Sequence, residues 1–578
     1  MNNNFYKGRK LFIFLIFAAS ILAILIQSIS YQYTNKDFYV DKSNARQIKE
    51  YPILTSRGMI LDRNNYPLAI TIPEDSIVAT EPKILLENNK AFLDALDILG
   101  LDRDDVNKKL RKNINKKFIY IKRHIRTEIS EKIKELKVEG LYFKKENKRY
   151  YTEGEVIFPL IGQTTIDDIG VSGLEKSYNE ILSGKNGEKR VLIDNDKNIV
   201  KDLELIKSPI PGKDIKLTID HRLQYLAYKE LKKQIENVNA SSGSVVIIDS
   251  ENGEILSIAN YPSFNPNYDK RSSEKINKAR NRAVIDLIEP ASTIKPFLAV
   301  AALSSKKVSL SDKFDTSGGK YQFTPDLLVR DESDYGILTM SGIIKNSSSV
   351  GSVKIIEKID NKDYYNILKY VGFGERINLN FPGVSKGKLQ HYKEWKKVRS
   401  GTLSYGYGVS VTPLQLVSAY NVIANHGKKI APKLILRNYS NNNKNIPKNY
   451  KDSFSKVKRM MRRVVTEGTA KRANFTGYSV AGKTGTAKKI KTSGKGYSSD
   501  KYTSIFVGMT PANNTKLIIS VVIDNPRVGG FFGGTIAAPV FRNIARESLR
   551  ILNINADIKE SLSLNNYLLK KQEVPHVF

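Results

Sequence analysis

The 578-residue chain carries 93 lysines and arginines against 59 aspartates and glutamates, a formal net charge of +34. It has no cysteine, which excludes disulfides, zinc–thiolate centres and a cysteine nucleophile. The basic excess is scattered, as in Asn441-Asn442-Asn443-Lys444-Asn445, with no basic stripe interleaved with aromatics, so nucleic acid is not the expected partner.

Lys7, Arg9 and Lys10 precede a stretch without charge from Leu11 to Asn35. Crossing a bilayer takes about 20 apolar residues. Residues 11–30 are therefore expected to form a transmembrane signal anchor, with residues 1–10 as a cytoplasmic tail because basic residues stay inside. No small-x-small cleavage pattern follows. The mass of the chain is expected outside the cytoplasmic membrane, tethered by one helix.

Residues 31–207 read as a mainly β pedestal. It begins as a polar stalk to about residue 50. Asn64-Asn65 marks a hairpin turn, since Asn tolerates positive φ, and a strand follows from Ile70 to Ala79. Residues 85–140 carry helical periodicity (Phe92, Leu96, Leu99; Ile129, Ile133, Leu136) and are expected to form an inserted helical lobe. Strands and turns are expected again from Tyr150, with a strand–turn–strand over Arg190 to Leu205. No cluster of titratable groups is evident across residues 50–205.

Ser208-Pro209-Ile210-Pro211-Gly212 is a boundary. Residues 213–555 are expected to form a second domain. A helix over Leu223–Val238 precedes a strand pair around the turn at Ser250-Glu251-Asn252. Helices dominate from Ala283 to about Ala424. Strands return at Tyr478–Lys488, Tyr502–Met509 and Leu517–Asp524, before a closing helix from Ala538. Strands, then helices, then strands describe an α+β domain whose mainly antiparallel sheet is built from both ends. Residues 556–578 are a polar tail.

Three clusters in this domain carry chemistry. Ser292-x-x-Lys295 puts a hydroxyl and an amine on one helix face, and Pro296 keeps the helix start close to Ser292. A serine there is a candidate nucleophile and the lysine its base. Alone, the pattern is common on solvated helices. The second cluster is Asn346-Ser347-Ser348-Ser349, a hydroxyl-rich loop between helices. The third is Lys483-Thr484-Gly485-Thr486 on a strand. Together they supply what acyl transfer needs. Ser347 can relay a proton to the leaving group. Lys483, with partial burial, lowers the pKa of Lys295. The backbone N–H groups of Ser292 and Thr486 can form an oxyanion hole. Lys483, Thr484 and Thr486 can bind a substrate carboxylate, and Gly485 lets an extended substrate lie along the strand edge.

These three clusters, in this order, resemble the signature of penicillin-binding proteins. The chain is similar to class B penicillin-binding proteins, and within them to the septal, penicillin-binding protein 3 type. Further motifs carry the likeness: Arg57-Gly58-Met59-Ile60-x-Asp62-Arg63, Arg149-Tyr150-Tyr151, Gly173-x-Glu175-Lys176, Asp220-x-Arg222, Asn281-Arg282-Ala283, Ser404-Tyr405-Gly406-Tyr407-Gly408 and Ala538-Pro539-Val540-Phe541. The resemblance implies a dimerisation-type pedestal and a transpeptidase domain. It also implies a monofunctional peptidoglycan D,D-transpeptidase acting at D-Ala-D-Ala of a stem pentapeptide during cell division, acylated by β-lactam antibiotics, with no metal or organic cofactor. Ser292, Lys295, Ser347 and Lys483 would be catalytic, with Ser349, Thr484, Gly485 and Thr486 on the substrate. Implied partners are a polytopic membrane glycosyltransferase and other divisome proteins. The implied place is the bacterial inner membrane at the septum, with the catalytic domain in the periplasm. The alternatives are a catalytically weak divisome scaffold and an elongation-type transpeptidase.

Three departures from the family pattern stand out. Ser349 occupies the place of the usual asparagine in Ser-x-Asn and, with one short donor, is expected to hold substrate or lysine more weakly. Ala291 replaces the glycine before Ser-Thr, expected to be a small change. Asn65 replaces a turn glycine.

Overall fold

The computed structural model describes residues 3–87, 89–116, 118–194, 199–268, 278–436, 447–491 and 496–558. The Asn441–Asn445 run and the tail beyond residue 558 lie outside the described residues. The chain divides into two compact units: one comprises residues up to Gly58, Glu74–Asn147 and Ser183–Lys213, the other Met59–Pro73, Lys148–Leu182 and the chain from Asp214. Residues 59–73 and 148–182, read from sequence order as pedestal, thus group with the larger unit.

In the smaller unit the apolar helix Asn3–Ile29 continues through a π-helical turn, Ser30–Thr34, into a helix over Lys36–Gln47. It is long and apolar enough to cross a membrane. The polar stalk is therefore helical, and it leads into strand Ile48–Ile53. That strand joins Gly187–Ile193 and Ile199–Lys207 in an antiparallel sheet. The inserted lobe holds helices Lys90–Leu99, Arg103–Lys112 and Thr127–Glu135 around a core with Ile77, Phe92, Leu96 and Leu110. The helical expectation over 85–140 is interrupted by a strand, Ile119–Ile125. There Ile119, Ile121 and Ile125 are buried, and the strand pairs with the second half of Pro67–Ala79. The period of two is short, and flanking helical patterns mask it.

A charged centre in this unit was not expected. The Glu146 carboxylate accepts from Ser76 Oγ (2.6 Å), Tyr120 OH (2.6 Å) and Arg123 Nε (2.8 Å), with Lys144 Nζ at 3.2 Å. These groups come from three separate strands, which only their register brings together.

The larger unit is built on five strands. Helix α1 (His221–Asn237) precedes β1 (Ser242–Asp249) and β2 (Ile255–Tyr261). Then come α2 (Lys295–Ser304), α3 (Met340–Asn346), α4 (Ser349–Ile356), α5 (Pro413–Ala424) and α6 (Lys448–Thr466). The chain closes with β3 (Ala481–Ile490), β4 (Tyr497–Thr510), β5 (Leu517–Asp524) and α7 (Ala538–Ile551). The sheet order is β2-β1-β5-β4-β3, antiparallel throughout, so β3 is an edge. Helices α1 and α7 pack together on the sheet, while α6 and the turn before α2 pack against β3. Helix α2 is apolar all round after its first residue, and every residue from Lys295 to Ala302 is buried, as such a helix must be. Phe297 anchors it edge-on to Phe373 and Tyr420.

Two buried joints assemble motifs far apart in sequence. Asp62 accepts from Asn64 N and Tyr66 N and meets His221 Nδ1 at 2.8 Å. Asp220 takes Arg222 Nη2 at 2.7 Å and Asn64 Nδ2 at 3.2 Å. With these oxygens held by protein donors, the Asp62–Asp220–His221 group is a structural clasp. Arg149 Nε and Glu175 form a fully buried pair at 2.7 Å. The expected strands and turns of 154–182 are short helices, Phe158–Ile161, Gly173–Ser177 and Asn179–Leu182.

Candidate active site

Ser292 sits in a 3₁₀ turn, Ala291–Ile294, that runs into α2. In a 3₁₀ turn, positions i and i+3 eclipse, so Ser292 and Lys295 share one side. The turn is pinned from several directions: Thr293 Oγ1 donates to Pro290 O (2.6 Å), Tyr420 OH to Thr293 O (2.7 Å) and Ala291 N to Gly406 O (3.2 Å). A Cβ on Gly406 would lie 2.0 Å from Ala291 O, which explains the glycine in Ser404-Tyr405-Gly406. Ala291 itself has φ +47°. The replacement of glycine there is not small: an L side chain in the left-handed region costs about 1 kcal/mol.

The three serines occupy the break between two helices. Ser347 ends α3 in the left-handed conformation at φ +62°, and Ser348 caps α4 by accepting from Gly351 N at 2.8 Å. This break faces both lysines. Lys295 Nζ donates to Ser347 O (2.5 Å) and Ser349 Oγ (3.2 Å). Lys483 Nζ donates to Ser347 Oγ (2.8 Å). Ser292 Oγ makes no hydrogen bond among the described residues, so the amine expected to point at it is held instead by the serine break. Ser349, expected to hold the lysine weakly, accepts directly from it and keeps its own O–H to donate.

Both lysines are 0% exposed. Burial pulls Lys295 down to about 7, opposed by the negative charges of Asp331 and Glu332. Burial, then repulsion from Lys295, pushes Lys483 well below the ordinary lysine range. Desolvation is thus the main cause, where the sequence suggested like-charge repulsion first.

On β3, Lys483 lies opposite Val507 and Gly485 opposite Ile505 of β4. Gly485 also has a packing role. A Cβ there would meet Thr293 Cγ2 at 2.9 Å and Pro290 O at 3.0 Å, so the glycine lets β3 close on the Ser292 turn. Thr484 and Thr486 alternate to the other side: Thr484 Oγ1 pairs with Thr469 Oγ1 (2.9 Å), and Thr486 Oγ1 accepts from Gly533 N (3.2 Å). At the free edge of β3, Lys488 N donates to Tyr407 OH at 3.1 Å. Backbone groups alternate along a strand, so Thr486 N–H and Thr484 N–H also project from that edge.

Sequence reasoning missed Asp331, Thr469 and Tyr407 as members of this constellation. It also gave no role to Glu289, whose carboxylate accepts from Gly408 N (2.7 Å) and Tyr497 OH (3.1 Å). An open groove of about 860 Å³ lined by Tyr405, Tyr407, Tyr497, Leu327, Leu328 and Arg399 runs beside the edge. Tyr407 stands in a motif already quoted and Glu289 lies three residues before Ser292; Asp331 and Thr469 carry no local signal.

The penicillin-binding protein transpeptidase domain model matches residues 243–546, more than half of the chain, and the penicillin-binding protein dimerisation domain model matches residues 52–217. The chain belongs to the penicillin-binding protein transpeptidase family. Its transpeptidase domain holds all three clusters. Among similar proteins, a probable peptidoglycan D,D-transpeptidase PbpC of Pseudomonas aeruginosa is 35% identical over 556 residues, 95% of this chain and 96% of that protein. The peptidoglycan D,D-transpeptidase FtsI of Escherichia coli K12 is 32% identical over 578 aligned positions, covering 96% and 93%. Among solved structures, the apo transpeptidase domain of Burkholderia pseudomallei penicillin-binding protein 3 is 34% identical with a TM-score of 0.53, covering 59% of this chain and 98% of that one. Penicillin-binding protein 3 of Mycobacterium tuberculosis, complexed with aztreonam, is 25% identical with a TM-score of 0.65, covering 88% and 98%.

Proposed function

We propose that this chain is a peptidoglycan D,D-transpeptidase of the cell-division type in which Ser292 is the nucleophile. The observation that carries the reading is the convergence of two buried lysines on Ser347, with Ser292, whose hydroxyl makes no hydrogen bond among the described residues, in the turn that leads into Lys295. Ser292 Oγ attacks the carbonyl of the penultimate D-Ala of a stem pentapeptide and loses its proton to neutral Lys295. The oxyanion is met by the N–H groups of Ser292 and Thr486. Lys483 donates to Ser347 Oγ, which passes its own proton to the leaving amine and takes from Lys295 the proton that came off Ser292, and the terminal D-Ala departs. An amine from a neighbouring stem then attacks the acyl–Ser292 ester, forming the cross-link and returning the proton to the serine. Thr484, Thr486 and Lys483 hold the substrate carboxylate, and Ser349 donates to its peptide. A β-lactam acylates the same serine.

The helix Asn3–Ile29 supports a single-pass anchor in the inner membrane with the N-terminus in the cytoplasm. A polytopic glycosyltransferase and other divisome proteins are the partners that a monofunctional septal enzyme requires.

The test is covalent labelling of the purified full chain by a fluorescent penicillin. Wild type is expected to label and Ser292→Ala to lose at least about 10³-fold of the rate. No label on wild type leaves the scaffold reading standing; label on both proteins means another nucleophile.

A further inference from the structure

The serine break does not hold itself. Asp331 follows the hairpin of Lys320–Thr324 and Leu327–Arg330, and its carboxylate reaches across to the start of α4. One oxygen accepts from Ser348 Oγ at 2.5 Å. The other accepts from Ser349 N at 2.5 Å and Val350 N at 3.0 Å. These N–H groups belong to the first turn of a helix and have no partner inside it. A carboxylate is favoured there by the helix dipole as well. Ser348 Oγ is thereby locked as donor to Asp331 while it accepts from Gly351 N.

The two groups that flank this locked residue are the acceptors of Lys295, namely Ser347 O and Ser349 Oγ. Movement of Asp331 moves both. We propose that Asp331 is a positioning residue for acyl transfer, pinning Ser347–Ser349 so that Lys295 and the relay hydroxyl keep their alignment. The inference rests on the Ser292 reading above. The carboxylate also acts through space. Lys295 faces negative charge from Asp331 and Glu332 on the hairpin side and the Lys483 amine from β3. Asp331 favours the protonated amine, so it sets the pH at which the base becomes free as well as where it points.

The experiment is the rate of acylation by a fluorescent penicillin against pH, for the full-length wild type, Asp331→Asn, Asp331→Glu and Glu332→Gln. The asparagine variant keeps an acceptor for the helix N–H groups but loses the charge. Its plateau rate is expected to fall about tenfold or more, as a misplaced group does, and its midpoint to move to lower pH because the base sheds its proton more readily. The glutamate variant keeps the charge but displaces the carboxylate, so the rate falls while the midpoint stays. Glu332→Gln removes charge without a hydrogen bond and is expected to move the midpoint down at a retained plateau rate.

An Asp331→Asn variant with the wild-type rate and midpoint overturns the proposal. So does a glutamate variant as fast as wild type, which decides the matter if the asparagine variant does not fold. A wild type that takes no label defeats the Ser292 reading itself, a result distinct from either.

Discussion

Two of the places where the molecule buries charge treat it in opposite ways. In the smaller unit, Glu146 meets Ser76, Tyr120, Arg123 and Lys144, so its negative charge is answered by donors and cations, and its pKa falls to about 2. In the larger unit, Lys295 and Lys483 are sealed from water with serine oxygens and the Thr484 carbonyl as partners and, among the described residues, no carboxylate in hydrogen-bond contact. A buried charge that is answered locks a structure together. Burial without water disfavours the protonated amine, and Lys295 adds repulsion at Lys483, which leaves an amine able to act as a base near neutral pH. Burial alone does not mark a functional site.

The largest expected effect tests the reactive side of this contrast. Lys295→Met keeps the packing and removes the proposed base, so acylation by a fluorescent penicillin should slow by about 10³-fold. The same variant should be more stable. Lys295 titrates near 7 in the folded chain against 10.5 as a free lysine. Between those values the unfolded chain binds more protons, so stability rises with pH across that window and is lowest below it. Replacing the amine by an apolar group removes the penalty, and a gain of about 1–3 kcal/mol at pH 7 is expected from thermal unfolding. A variant that is slower but less stable would mean the lysine is structural.

Glu146→Gln tests the other side. The folded carboxylate titrates near 2 and the reference value is 4.5. Its contribution is therefore full above pH 4.5 and is lost as pH falls towards 2. The glutamine variant should lose about 3 kcal/mol at pH 7 by denaturant unfolding and should lack the wild type's loss of stability between pH 4.5 and 2. Acylation of Ser292 is expected to stay at the wild-type rate, since no step uses this group. An acylation defect in a folded variant would break the division between structural and reactive charge.

The smallest effect concerns strain at the reactive side. Ala291 holds φ +47°. Ala291→Gly is expected to stabilise the chain by about 1 kcal/mol, read as a rise of about 1 °C in Tm. An unchanged Tm would show that the turn relaxes around the methyl group.

Much of this was readable in residue order. The three clusters, the helix after Ser292, the hairpin at Asn64-Asn65 and the antiparallel sheet from both ends of the second domain are local patterns, set by spacing, turn chemistry and periodicity. The strand at Ile119–Ile125 was not readable, because a few alternating residues between two helical patterns look like more helix. Nor was the helical stalk, whose polar residues give no periodic signal. Asp331 and Thr469 escaped for a different reason. Their neighbours in sequence have nothing to do with Ser348 or Thr484, and only folding brings them into contact.

By itself the sequence determined which groups can react: a serine, two lysines and a row of hydroxyls in a family order, behind an apolar N-terminal helix. Only the tertiary structure decided which of them meet and in what protonation state. Lys295 is held by the serine break and not by Ser292, Gly485 lets β3 close on the Ser292 turn, and Ala291 bears strain. The physical reason is that pKa and alignment depend on burial and on partners distant in the chain, and neither is a property of spacing along it.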